Sequence, residues 1–98
     1  MTTDAQHAAP LPPVDAKQLQ QRLESAIVDS REQARINSLK VTSDPHDHVA
    51  IAAIPMYHGV SVGLLTALLH ANLIDVAEYK RRVAEMHDEN ERFLVVSE

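Results

Sequence analysis

From Val49 to Ile74 the chain reads VAIAAIPMYHGVSVGLLTALLHANLI, a stretch with no Lys, Arg, Asp or Glu, while the segments on either side mix apolar and charged positions. At 100° per residue, Val60, Val62, Leu64, Leu65, Leu68, Leu69 and Leu73 cover about 240° of a helix circumference. Gly63, Thr66 and His70 gather in one narrow band, with Ser61 outside it. A surface helix shows an apolar stripe of only ~100°. This pattern predicts a helix covered on most sides by its own chain, by a second copy, or by lipid. Gly63, Ala67 and Ala71 place a small residue at every fourth position, which lets another backbone come close. Within a soluble bundle that edge means tight core packing; between chains it is an association edge.

Ahead of this stretch, Asp15 with Gln18 three residues on is a capping-box pattern. Leu19, Leu23, Ala26, Ile27, Ser30 and Ala34 then recur at intervals of three and four, which predicts an amphipathic helix whose thin apolar stripe depends on docking. Its charged positions, Lys17, Arg22, Glu24, Arg31 and Arg35 among them, read as a solvated face. After Ile36, the run Asn37 to Thr42 fits either the end of that helix or a short strand. Asp44 before Pro45, with Asp47 in the next turn, predicts an N-cap and a short helix from Pro45 to Ile54, ended or kinked by Pro55. Pro55-Met56-Tyr57-His58-Gly59 then forms a hinge. A hairpin of strands over 39–42 and 49–54 is the competing pattern, and Ala50, Ala52 and Ala53 favour the helix.

Past the uncharged stretch, Asn72 suits a helix C-terminus, Asp75 and Glu78 form a second capping box, and Ile74 can staple onto Tyr79. Val76, Tyr79, Val83, Met86, Asn90 and Phe93 follow at spacings of 3, 4, 3, 4 and 3, the a/d seam of a heptad pattern. A helical hairpin is predicted, with Asn90 on its seam either fixing register or oligomer state or standing half exposed near the helix end. Residues 93–97 close the chain as a last helical turn or an edge strand. The expected fold is mainly α, a bundle of three or four helices with a C-terminal helical hairpin; an α+β arrangement with short strands near 38–42, 49–54 and 93–97 is the alternative. Residues 1–14, small, polar and proline-rich, read as a disordered tail without a secretion signal, leaving 15–98 as a single domain.

Composition narrows the chemistry. The chain has 98 residues, no cysteine, and a net charge of −5 from nine basic and fourteen acidic side chains. Disulfides and thiolate metal sites are excluded, a reducing cytoplasmic setting fits, and non-specific binding to nucleic acid or anionic membrane is disfavoured. Protonating all six histidines would bring the charge to −5 + 6 = +1. Asp44, His46, Asp47 and His48 are the one cluster of metal-ligand types, although helix caps account for its two acids. His58 and Ser61 share a helical face, but no acid in sequence orients the imidazole for nucleophilic work. Lys80-Arg81-Arg82 invites a helix-turn-helix reading that Asp75 and Glu78, at the front of the same helix, oppose. A bilayer span is long enough on paper at 26 uncharged residues, but it would bury Pro55, Tyr57, His58 and Gly59 near the midplane. The expectation is a noncatalytic protein-interaction domain without a cofactor, self-associating through Gly63, Ala67 and Ala71 and the seam Val76, Tyr79, Val83, Met86, Asn90 and Phe93. The alternatives are metal- or histidine-dependent activity at Asp44, His46 and His48, and a helix-turn-helix regulator.

Overall fold

The computed structural model describes residues 15–96. Three helices account for nearly all of them: α1 (Ala16–Ser43), α2 (His48–His70) and α3 (Val76–Val96), with no strand among the described residues. The tail expected over residues 1–14 lies outside that range. Asp15 caps α1 by accepting from the Lys17 N–H at 2.9 Å.

Two expectations are corrected, one at the α1–α2 junction and one within α2. The undecided segment 37–42 is helical: α1 continues to Ser43, and Asp44 ends it, its N–H donating to Lys40 O at 2.8 Å. Burial draws the last turns in, because Val41 is fully enclosed against Ala50 and Ile54. Asp44 is therefore a C-cap, and Asp47 is the N-cap of α2, its Oδ1 accepting from Ala50 N at 3.0 Å. Between them Asp44-Pro45-His46-Asp47 makes a turn closed by Asp47 N to Asp44 O at 3.0 Å, and Pro45 serves as its pre-set second residue. The second correction is at Pro55. No hinge divides the uncharged stretch, and the helix runs 23 residues through the proline. Ala50, Ile54, Ser61, Leu65 and Leu68 form one buried line along it, and that line is continuous only if the helix is. A missing N–H in a helix interior costs about 3 kcal/mol, which burial along a single rod offsets.

The α2–α3 turn matches its sequence. Asn72 is left-handed, at φ 60°. Asn72 N donates to Leu69 O and Leu73 N to Leu68 O, each at 3.0 Å, the paired bonds of a Schellman motif. Asp75 Oδ1 then accepts from Glu78 N at 2.7 Å.

The helices run up, down and up. Glu24 of α1 meets Arg82 of α3 and Arg31 meets Glu89, both across 58 residues of sequence, so α1 and α3 lie parallel and in register. The core has two apolar ends. One holds Ile27, Leu65, Leu68, Ile74 and Met86, with Leu23, Tyr79 and Val83 against it. The other holds Val41, Ala50 and Ile54, covered by Ile51 and Phe93. Polar residues separate them.

Candidate functional site

Two features of this bundle are not explained by packing alone. The first is the far side of α2. Opposite its buried line, Val49, Ala52, Met56, Gly59, Val60, Gly63, Ala67 and His70 fall within about 100° of the helix circumference, and every one of them is exposed. Val49 is 81% exposed, Met56 54% and Val60 45%. α2 thus carries two apolar stripes, one used inside the chain and one facing outward without a charge. His48, Val49, Ala52, Ala53 and Met56 shape a shallow apolar hollow at its N-terminal end.

Gly63, Ala67 and Ala71, the edge expected to pack closely, sit on or beside the outward stripe and do not enter the core. Among the described residues a Cβ added at Gly59 or Gly63 would meet nothing within 4 Å, and neither glycine has a positive φ. The close crossing of α1 and α2 is built elsewhere, from Ser30, Ala34 and Ser61, all buried. Ser30 Oγ and Ser61 Oγ lie 2.6 Å apart, and their helices' own carbonyls, Ile27 O and Tyr57 O, accept whichever proton does not cross. Ser61, the residue outside the polar band in the sequence pattern, is thus the centre of the contact.

The second feature is the polar layer between the core ends. Arg31, with 13% of its side chain exposed, is its hub. Its Nε donates to Glu89 Oε1 at 2.6 Å, its Nη1 reaches His58 Nδ1 at 3.4 Å, and its guanidinium stands 5.6 Å from the centre of the Phe93 ring. His58 Nε2 in turn lies 2.8 Å from His87 Nδ1. Burial first, then the neighbouring His87 and the Arg31 cation, holds the His58 pKa below the ordinary imidazole value. One heptad away, Arg82 grips Glu24 through two bonds of 2.8 and 2.6 Å, and the hydrogen bond from Arg82 lowers the Glu24 pKa.

The other candidate residues are accounted for by position. Tyr79, Val83, Met86, Asn90 and Phe93 turn inward, so the seam closes the bundle within the chain; only Val76 of that set is exposed, at 55%. Asp44, His46 and His48 lie exposed around the α1–α2 turn, where Asp44 Oδ1 accepts from His46 N at 3.0 Å. Among the described residues no group of three or more His, Cys, Asp or Glu is placed to hold a metal ion. Ser61 bonds Ser30 and Tyr57 O while His58 turns to Arg31 and His87, so the two form no catalytic pair. Of the basic triplet, Arg81 is bonded to Glu85 and Arg82 to Glu24 and Glu78. The Glu24–Arg82 and Arg31–Glu89 pairs escaped the sequence reading, which had Glu24 and Arg31 on a solvated face. Their signal was present: Glu then Arg seven apart on α1, and Arg then Glu seven apart on α3.

Compared with known proteins, the chain matches no family model, no curated protein and no solved structure. By length and composition α2 is long and apolar enough to cross a membrane, at a mean hydropathy of 1.6, and 22% of that window is buried within the chain.

Proposed function

We propose that this protein is a noncatalytic interaction domain that pairs with a second copy of itself through the outward stripe of α2. The observation that carries this reading is the pair of open glycines. Gly in a helix interior costs about 1 kcal/mol relative to Ala, and neither the backbone conformation nor any neighbour among the described residues requires it at 59 or 63. A helix crossing at that point does require it. Gly59 and Gly63 lie near the middle of α2, so an antiparallel two-fold pairing would cross there and set Met56 of one copy against Ala67 of the other.

Charge and size favour a second copy over other occupants. Two molecules each at −5 repel, and a stripe with no charge lets them meet where the repulsion is weakest. The stripe extends for about 32 Å along α2 at 1.5 Å per residue, and pairing two of them buries on the order of 1,000 Å², the lower bound for a specific interface. A lipid surface suits it less well. Spanning would strip α2 of α1 and α3, and an acidic protein is not drawn to anionic headgroups.

Gly63→Leu separates assembly from folding. Its side chain enters open space in the single chain and gains helix propensity, so thermal stability should hold or rise, while the crossing is blocked. Light scattering after size exclusion should show wild type passing from monomer to dimer with concentration and the variant remaining monomeric. A wild type that stays monomeric up to millimolar concentration, or that floats with zwitterionic vesicles instead of dimerising, overturns the proposal.

A further inference from the structure

We infer that the His58–His87 contact is an acid-sensitive clasp, which holds the C-terminal half of α3 on the α1–α2 hairpin at neutral pH and releases it on acidification. The hydrogen-bond directions are set by Arg31. A guanidinium only donates, so His58 Nδ1, 3.4 Å from Arg31 Nη1, must accept and carries no proton. In a neutral imidazole the proton is then on Nε2, which donates across 2.8 Å to His87 Nδ1. The chain of bonds therefore runs Arg31 to His58 to His87, and it needs both rings neutral. A proton added to His58 goes onto Nδ1, where it faces Arg31. One added to His87 goes onto Nδ1, where it faces the His58 N–H. Either addition breaks a bond: the first sets an imidazolium against the Arg31 guanidinium, and the second sets two N–H donors face to face.

Among the described residues, the groups around His58 offer no compensation. From α1 it meets Arg31; from α3 it meets His87, with Glu89 beyond, already held by Arg31 Nε at 2.6 Å. Burial and both neighbours act in the same direction on His58. The rest of α3 explains why the effect stays local. Its first half is anchored by Tyr79, Val83 and Met86 in the larger apolar cluster. Beyond Met86, His87, Glu89 and Phe93 attach it to the rest of the bundle, and all three converge on Arg31 and His58 or the smaller cluster. Segments with few apolar contacts open first. This device is independent of the α2 stripe and is tested at concentrations where the protein is monomeric.

Sign follows from linkage. A histidine whose folded pKa is depressed contributes stability that is fully present above its unfolded value of ~6.5 and is lost as pH falls through the folded value. Amide hydrogen exchange, corrected for the intrinsic pH dependence, should show protection of residues 87–94 falling between pH 7.5 and 5.0, while residues 61–68 keep theirs. His58→Gln combined with His87→Gln keeps a donor and an acceptor at each position and removes both titrating rings, so the double variant should match wild type at pH 7.5 and lose less than about twofold at pH 5.0. Unchanged protection of 87–94 in wild type, an equal loss in all three helices, or the same loss in the double variant overturns the clasp. Wild-type imidazole ¹⁵N spectra give a second check that needs no variant: both rings should be Nε2–H tautomers at pH 7.5, and a His58 that protonates at or above the ordinary histidine range rejects the proposal.

Discussion

Asn90 shows how a single atom sets a local balance. It stands on the inward seam of α3, and its Oδ1 is buried with no hydrogen-bond partner among the described residues. An unsatisfied buried acceptor carries the desolvation penalty of the group with nothing to offset it. Asn90→Leu should therefore raise the unfolding free energy by about 1 kcal/mol, measured as a higher urea midpoint at unchanged slope. A lower midpoint would mean that the carbonyl is satisfied in solution. The same scale governs Arg31 and Ser61. In sequence they are one more charge on a polar face and one polar residue out of place in an apolar helix; in the fold they are the hub of the polar layer and the middle of the α1–α2 contact. Neither role is visible locally, because each depends on a residue that is distant in sequence.

At the scale of elements, chain punctuation was legible where it acted locally. The Asp15 cap, the Asn72 terminus and the Asp75 cap occupy their expected places, since each is decided by groups within a few residues. Asp44 and Pro55 came out differently because burial outweighed punctuation. Val41 pulled α1 past its weak last turn, and the line from Ala50 to Leu68 kept α2 whole across the proline. Pro55 is exposed, so restoring its N–H should strengthen the helix without disturbing the core. Pro55→Ala is expected to stabilise the protein by about 1–3 kcal/mol, with a corresponding rise in Tm and unchanged far-ultraviolet helix content. A loss of stability would show that the ring itself packs or that a bend in α2 is needed.

For the whole molecule, one helix carries both the core and the proposed contact, and the outward stripe has no charge to screen. Dimerisation should accordingly be nearly insensitive to salt, with a dissociation constant changing less than about threefold between 0.05 and 0.5 M NaCl once the general repulsion of acidic molecules is screened. A steep weakening with salt would place the contact on the charged faces of α1 and α3 instead. The sequence by itself determined that the chain is mainly helical, where the α2–α3 turn falls, and that the segment from Val49 to Ile74 has more apolar surface than one partner helix covers, because periodicity and capping are properties of neighbours in the chain. Only the tertiary structure decided which stripe of α2 turns inward, that the small-residue edge is left open while the close crossing falls at Ser30 and Ser61, and that His58 meets His87. Those outcomes depend on how three helices share a core, and a stripe on either side of α2 would have satisfied the same local pattern.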